Sequence, residues 1–393
     1  MKKEIYLDNA ATTMIRPEVA KAMIENLEKA YGNPSSIYKI ARENKNILED
    51  NREKVAKAIN ADKGEIYFTG GGSEANNWAL KGIAESHSKK GKHIITTNVE
   101  HHAILHVCQY LESKGYEVTY LPVDKDGNIS LDDLKNAIRQ DTILISIMFA
   151  NNEIGTIYPI KEIGKIAKEH GILFHTDAVQ AVGHIPIDVK EMNIDLLSMS
   201  AHKFYGPKGI GALYIRKGIK ITPLIHGGGQ ERNRRAGTEN ICSVIGMGTA
   251  IELAVNEIEE ETKRLTALRN KLIDGILETI PYCWLNGTRE NRMPGNCNIS
   301  FEFIEGESVL LLLDMNEICA SSGSACTSGS LDPSHVLLAI GLPHEKAHGS
   351  LRLSLGLYNT EEDVDYLLEK LPPIIDRMRQ ISPLYEEFLA SQK

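Results

Sequence analysis

Between about residues 59 and 215, short apolar runs alternate with amphipathic helical stretches. The runs fall at 66–68, 93–97, 117–121, 143–149, 173–176 and 196–200. This alternation is typical of an α/β fold in which a largely parallel sheet is flanked by helices. Ligands of such sheets bind at the carboxyl ends of the strands. Polar residues that directly follow the apolar runs are therefore the first candidates for a functional site.

The length and the later part of the chain predict a second domain. The 393 residues exceed one ordinary domain. A long charged helix, from about 246 to 278, leads away from the alternating region. After it, the stretches 296–301 and 351–355 alternate as half-buried strands. We expect a smaller α+β domain to follow this helix.

The charge and the apolar content limit the classes of partner. The formal net charge of -9 argues against nucleic acid and against an anionic membrane surface. We expect no membrane span, because no stretch approaches ~20 apolar residues and the run 309–313 stops at Asp314. The chain enters its first strand without a signal-like segment, which predicts a cytoplasmic protein.

The segment Ser200-Ala201-His202-Lys203 carries the strongest chemical signal, since it ends one apolar run and precedes a glycine-rich stretch. A lysine at a strand end beside small and hydroxyl residues can be desolvated, lose its proton and attack a carbonyl. Pyridoxal 5′-phosphate (PLP) needs a Schiff-base lysine of this kind. A lone surface lysine would be the simpler interpretation, but three further features favour the cofactor.

The first feature is Asp177, which ends an apolar strand and could pair with a protonated pyridine nitrogen. The second is the turn 69–75, where glycines lead from a strand into a helix and can surround a phosphate. The third is His101, placed to stack on a flat ring. His101, His102 and His106 also resemble a metal cluster, but no carboxylate or cysteine completes a ligand set, so we expect no intrinsic metal site.

Together these segments resemble a PLP-dependent cysteine desulfurase of the NifS/IscS type, within the class-V aminotransferase group of fold type I. The resemblance runs the length of the chain. It rests on blocks that include Asn151-Asn152-Glu153-Ile154-Gly155, Asp177-Ala178-Val179-Gln180, Ser200-Ala201-His202-Lys203 and Ser321-Ser322-Gly323-Ser324-Ala325-Cys326-Thr327-Ser328. Departures are small: Gly72-Ser73 stands where Ala-Thr is frequent, and Ala236 where serine is usual.

The resemblance implies a large domain with a mostly parallel seven-stranded sheet and a smaller α+β C-terminal domain. We expect the large PLP-binding domain at 16–260. Residues 1–15, read as an opening strand and helix, and 261–393 would form the small domain. A mobile loop at about 321–333, rich in serine and glycine, would carry the catalytic Cys326.

The resemblance also implies the roles of the site residues. Lys203 would hold PLP and move the substrate Cα proton, and Asp177 would pair with the ring nitrogen. Cys326 would attack the sulfur of L-cysteine, leaving L-alanine and a persulfide. Arg352 would bind the substrate carboxylate, since its planar fork matches that group, and Asn152 would assist at the carboxylate and ring.

The remaining contacts are implied in the same way. His101 would stack on the ring and handle the proton of the substrate thiol, and Gln180 would contact the ring oxygen. The phosphate would be held by Gly72, Ser73, Ser200 and His202. Thr238 would reach the phosphate of a neighbouring subunit, which makes a homodimer part of the expected mechanism.

The six cysteines show no CxxC and no regular spacing, which argues against a disulfide framework or a zinc knuckle. The expected sulfur acceptor is an iron–sulfur scaffold protein, and Cys326 could then serve as a transient iron–sulfur ligand. Three alternatives stay open: a selenocysteine lyase, another class-V aminotransferase or lyase that does not use Cys326, and a non-catalytic sulfur-assembly scaffold.

Overall fold

A computed structural model describes residues 4–322 and 333–392 of the chain. Twelve strands, β1 to β12, occur in these ranges. In chain order they are Ile5–Tyr6, Ile66–Thr69, His93–Thr97, Glu117–Leu121, Thr142–Ser146, Leu173–Asp177, Leu196–Ser200, Gly211–Ile215, Cys283–Leu285, Asn296–Phe301, Ile318–Cys319 and Ser350–Ser354.

The helices of the described ranges are α1 to α12. In chain order they are Pro17–Leu27, Lys39–Ala58, Gly72–His87, His102–Glu112, Leu131–Ala137, Ile160–Glu169, Ile241–Thr279, Gly306–Asp314, His335–Ala339, His344–His348, Glu361–Gln380 and Pro383–Ser391. Short 3₁₀ helices occur at Lys63–Glu65, Ala201–Lys203 and Glu231–Asn233.

The largest sheet has seven strands in the order β2-β8-β7-β6-β5-β3-β4. All of its neighbouring pairs are parallel except those of β8, which runs antiparallel to both β2 and β7. The expected α/β fold with a mostly parallel sheet is therefore confirmed. Most of its strands are buried on both faces, as near-continuous apolar runs predict.

Two smaller sheets, separate from the seven-stranded one, contain the remaining described strands. β10 pairs antiparallel with β12 and β9, while β1 near the start of the chain pairs in parallel with β11. The side chains of this part form a core of their own, which includes Leu272, Ile299 and Leu353. The opening strand thus packs with the C-terminal part of the chain, whereas the first described helix, α1, begins only at Pro17. Residues 4–15 contain no helix, contrary to the expected opening helix.

α7 joins the two cores. Its first half, up to Ala254, packs in the core of the large sheet, and Leu265 and later residues pack in the second core. The predicted domain boundary at 260/261 lies inside this helix. By length and composition alone α7 could cross a membrane, but 61% of its most apolar stretch is buried in the protein, as in a core helix.

One segment near the end of the chain packs on the large sheet although it follows α7 in sequence. Val336, Leu337 and Ile340 around α9, with Ala347 in α10, pack in the core of the large sheet. The sequence placed them in the small domain because they follow α7. This packing brings the start of α9 to the carboxyl edge of the large sheet.

Candidate active site

The carboxyl ends of β5, β6 and β7 open onto a cavity of about 350 Å³. Its lining includes most of the residues that the sequence selected: Gly72, Ser73, His101, Asn152, Asp177, Gln180, Ser200, His202, Lys203 and Arg352. The volume is within the usual range for small-molecule sites. Sequence positions as distant as Gly72 and Arg352 thus meet around one cleft.

The N-terminus of α3 forms one end of the cavity. Gly71 precedes the helix with φ of 150°, a backbone conformation that side chains rarely adopt. First-turn N–H groups of a helix have no intrahelical acceptor, so those of Gly72 and Ser73 can bind an anion. A Cβ on Gly72 would lie 2.6 Å from Cγ2 of Val179. The glycine therefore makes room for Val179 beside the anion position.

Asp177, at the end of β6, is held by two hydrogen bonds. Nδ2 of Asn76 donates to its Oδ2 at 2.6 Å, and the N–H of Val179 donates to its Oδ1 at 3.0 Å. The carboxylate is 6% exposed, and an ionised carboxylate can accept about four hydrogen bonds. Asp177 therefore keeps the capacity to accept one more from a cationic N–H in the cavity.

Lys203 ends the 3₁₀ helix that follows β7. Its Nζ donates to the carbonyl oxygens of Ala10 (2.5 Å) and Ala11 (2.7 Å). The opening segment of the chain thus directs the amine into the cavity. Beside it, Nδ1 of His202 contacts Oγ1 of Thr12 at 3.1 Å, and burial lowers the pKa of His202 to about 4. His202 is neutral at pH 7 and can donate a hydrogen bond only through one nitrogen.

His101 is the N-cap of α4. Its Nδ1 accepts a hydrogen bond from the N–H of Ala103 at 3.1 Å. Because Nδ1 is the acceptor, a neutral ring carries its proton on Nε2. The ring lines the cavity, where it can cover a flat ligand and exchange a proton through Nε2.

Arg352 lies in β12 and is 1% exposed. Its Nη2 pairs with Oδ1 of Asp8 at 2.9 Å, and its Nη1 donates to the carbonyl oxygen of Asn152 at 3.3 Å. Its buried Nε has no partner among the described residues. A buried guanidinium donor without an acceptor can receive a carboxylate from a ligand.

The remaining predicted site residues differ in how they relate to the cavity. Nε2 of Gln180 donates to the carbonyl oxygen of Ala10 at 2.9 Å, so in this structure it holds the opening segment. Ser200 is buried at the end of β7. Thr238 is exposed and does not line the cavity of its own chain. Cys326 lies outside the described residues.

Sequence reasoning missed three buried polar residues near the cavity: Asn76, Glu100 and Glu153. Asn76 orients Asp177, and its position one helical turn after Gly72 was the available signal. Burial, with a contribution from Asp177, raises the pKa of Glu100 to about 8. Burial raises the pKa of Glu153 to about 7, against the effects of Ser334, Arg352 and His101. Both glutamates are next to predicted site residues in the sequence. The sequence pattern gave no sign that they are buried.

These residues fit PLP. The glycine turn can take its phosphate, Asp177 its ring nitrogen, His101 its ring face and Lys203 its aldehyde carbon. The orphaned Nε of Arg352 is then left for the carboxylate of a substrate.

Comparisons with known proteins cover nearly the whole chain. The profile of the family "Aminotransferase class-V" matches residues 5–367. Cysteine desulfurase IscS of Clostridium botulinum is 60% identical over 395 residues, 100% of both chains. Cysteine desulfurase IscS of Methanosarcina thermophila is 62% identical over 382 residues, 97% of this chain and 94% of its own.

Solved structures are similar over both cores. A NifS-like protein has a TM-score of 0.90 and 41% identity, covering 95% of this chain and 100% of its own. SspA in complex with cysteine has a TM-score of 0.80 and 39% identity, covering 91% of this chain and 100% of its own.

Proposed function

Since the chain belongs to the class-V aminotransferase family and is a PLP-dependent cysteine desulfurase, we propose that its cleft passes the sulfur of L-cysteine to Cys326. The observation that carries this proposal is the convergence of Lys203, Asp177 and Arg352 on one cavity. A nucleophilic amine, an anion for a pyridine nitrogen and a carboxylate clamp are the parts that amino-acid chemistry with this cofactor needs.

The cofactor, when bound, supplies the electron sink that tolerates negative charge at the substrate Cα. Lys203 holds it and accepts the Cα proton; the carbonyls of Ala10 and Ala11 position that amine. Asp177 stabilises positive charge at the ring nitrogen. Arg352 binds the substrate carboxylate. Its guanidinium, which also pairs with Asp8, either gives up part of that contact or shares its donors between the two carboxylates.

Sulfur transfer then takes place between two sulfurs. The thiolate of Cys326 attacks Sγ of the substrate, so that an S–S bond forms and the Cβ–Sγ bond breaks. The carbon takes the electron pair and a proton and leaves as L-alanine, while the transferred sulfur is oxidised to the outer sulfur of a persulfide. His101 can exchange the thiol proton through Nε2. The products, L-alanine and Cys326 persulfide, balance L-cysteine and the Cys326 thiol.

The persulfide must reach an acceptor. For this chain the proposed acceptor is a scaffold protein of iron–sulfur cluster assembly, supported by its 60% identity to proteins named IscS. The proposed location is the cytoplasm, because a reactive thiol persists in a reducing compartment.

The proposed active unit is a homodimer. Thr238 is exposed and does not line its own cavity, which suits a contact with the cofactor phosphate of a second subunit. Apolar residues at the start of the chain are also exposed, among them Ile24 (70%), Tyr31 (79%) and Ile37 (89%). Exposed apolar side chains this close together in the chain would be buried if a second subunit packed on this segment.

The function is tested by assaying alanine from L-cysteine with the wild-type protein, with Cys326→Ala and with the matched thiol variant Cys319→Ala. We expect alanine formation to be lost in Cys326→Ala and kept in Cys319→Ala. Equal turnover by Cys326→Ala would instead indicate a lyase that does not use this thiol. A higher kcat/KM on selenocysteine that survives Cys326→Ala would indicate a selenocysteine lyase, and the absence of any turnover a non-catalytic scaffold.

A further inference from the structure

Two described residues near the Cys326 segment, Ser321 before it and Ser334 after it, are both attached to the cleft. On one side, the N–H of Ser321 donates to the carbonyl of Arg352 at 3.2 Å, and the N–H of Arg352 donates back to Ser321 at 2.7 Å. On the other side, Ser334 is the N-cap of α9 and is 5% exposed. The described chain before Cys326 is therefore bonded to Arg352, and the described chain after it depends on what holds Ser334.

The side chain of Ser334 has two roles. Its Oγ accepts hydrogen bonds from the N–H groups of Val336 and Leu337, both at 3.2 Å, and so caps α9. The same hydroxyl donates its hydrogen to Oε2 of Glu153. Burial raises the pKa of Glu153 to about 7, so above this pH the group is a carboxylate and the bond is charge-assisted, which makes it stronger than one between neutral groups.

Glu153 connects three parts of the fold. It is 3% exposed and follows Asn152, whose carbonyl accepts from Arg352. Its N–H donates to Oδ1 of Asn151 at 2.8 Å. Its carbonyl accepts from Nδ2 of Asn296 (3.0 Å) and of Asn298 (3.1 Å) in β10. The carboxylate is thus fixed from the backbone side and offers Ser334 a rigid acceptor.

A second bond supports the same attachment. Nε2 of His335 contacts the carbonyl oxygen of Glu100 at 2.9 Å, directly before His101. A carbonyl only accepts, so Nε2 carries the proton. The first two residues at the start of α9 are therefore bonded to the segments that present Asn152 and His101 to the cavity.

We propose that Glu153 is a positioning residue for sulfur transfer, and that its bond to Ser334 holds the described chain that follows Cys326 at the segment that carries Asn152. The inference rests on the proposed function and names a part of that site that touches neither substrate nor cofactor. Loss of this bond should slow the step in which Cys326 attacks the substrate sulfur. Binding of L-cysteine, which uses Arg352 and the cofactor, should be unaffected.

The test is a rapid-quench experiment on the holoenzyme mixed with L-cysteine. The change in cofactor absorbance reports substrate binding, and mass mapping of quenched samples reports persulfide on Cys326. Ser334→Ala should form the persulfide about tenfold more slowly, the size expected for a lost charge-assisted bond, with the absorbance phase unchanged. Ser334→Thr, which keeps the hydroxyl, should restore the rate.

A matched control separates this bond from helix capping. Ser130 caps α5 by accepting from the N–H of Asp133 and is exposed on the surface, so Ser130→Ala loses a cap without touching the site. It should leave both phases unchanged. Glu153→Gln, of equal size, should slow the persulfide phase selectively. This variant replaces Ser334→Ala in the test if Ser334→Ala does not fold. The double variant should be no slower than the slower single one.

Several outcomes would overturn the inference. One is a wild-type rate of persulfide formation in Ser334→Ala. Another is an equal slowing of persulfide formation in Ser130→Ala. A third is that Ser334→Ala slows the absorbance phase as much as the persulfide phase. A wild-type protein that binds L-cysteine but forms no persulfide on Cys326 would remove the proposed function itself.

Discussion

At the scale of single residues, the site depends on one buried carboxylate at the end of β6. Asp177 accepts hydrogen bonds from Asn76 and from the N–H of Val179. Both donors stabilise the charged form and fix the direction of the carboxylate, which is what a partner of a cationic ring nitrogen requires.

Asp177→Asn should keep the fold, because the amide is isosteric, but it removes the negative charge. We expect kcat to fall on the order of a hundredfold with little change in KM, since the ring charge matters most in the transition state. Steady-state kinetics of alanine formation measure both.

The matched control is Asp195→Asn. Asp195 is also buried, at the opposite end of β7, where it accepts from the N–H of Phe174. This variant should lower stability and spare kcat. An unchanged kcat in Asp177→Asn, or an equal loss in Asp195→Asn, would contradict the role given to Asp177.

A second residue-scale prediction concerns Glu100, whose pKa burial raises from 4.5 to about 8. The folded state therefore holds a proton that the unfolded state releases. As the pH rises from 4.5 to about 8, the free energy of unfolding falls, because the folded state binds more protons.

Glu100→Gln keeps the one oxygen, Oε1, that accepts from both the N–H of Met148 and the hydroxyl of Thr97. Since an amide does not titrate, the variant should lose less stability over this pH range, by up to about 5 kcal/mol. Urea unfolding at several pH values measures the slope. The same slope in both proteins would rule out a protonated Glu100.

Residue identities near the site could largely be predicted from sequence, whereas their partners could not. Lys203 and Asp177 each follow an apolar run, and that local pattern placed them at the cleft. The pairing of Arg352 with Asp8 joins residues far apart in the chain and depends on how β1, β11 and β12 pack together. No local periodicity encodes such a contact.

At the scale of elements, the turn into α3 explains a departure from the family pattern. Gly72 stands where alanine is frequent in the family that the chain resembles. Here a Cβ at this position would lie 2.6 Å from Cγ2 of Val179. The absence of a side chain at residue 72 and the branched side chain at 179 are thus complementary.

Gly72→Ala should therefore weaken PLP binding about tenfold by pushing Val179 into the cavity. The double variant Gly72→Ala/Val179→Ala should recover most of the affinity, because the clash is relieved. Titration of the apoprotein with PLP, followed by absorbance, measures the dissociation constants.

Gly64→Ala is the control, since a Cβ there has no atom within 4 Å. It should bind PLP like the wild type. A double variant as weak as Gly72→Ala would show that Val179 is not the cause.

Element types were more predictable than their packing. The period of the apolar residues identified the strands and helices around the large sheet. It could not give the antiparallel direction of β8, because strand direction depends on long-range pairing. Nor could it place α9 on the large core, since chain order alone suggested the small domain.

At the scale of the whole molecule, α7 joins the two hydrophobic cores. Residues from the sheets on both cores line the cleft. Arg352 belongs to the second core's sheet and Asp177 to the first sheet. The proposed second subunit would add Thr238 to this cleft, so that one chain alone would hold the cofactor phosphate incompletely.

Thr238→Ala should weaken PLP binding roughly tenfold, the loss of one hydrogen bond to a charged group, while the protein stays dimeric. Thr279→Ala, also at an exposed threonine, is the matched control and should have no effect. Cofactor titration and sedimentation analysis together test this. A monomeric wild type, or full affinity in Thr238→Ala, would contradict the shared site.

Transfer of sulfur to Cys326 is tested most directly by the amount of sulfur on this residue after one turnover. Holoenzyme in excess is mixed with ³⁵S-labelled L-cysteine under anaerobic conditions, and alanine and labelled peptides are quantified. We expect equal amounts of alanine and of persulfide on Cys326, and neither product in Lys203→Ala. Alanine without label on Cys326, or label on another cysteine of the wild-type protein, would contradict it.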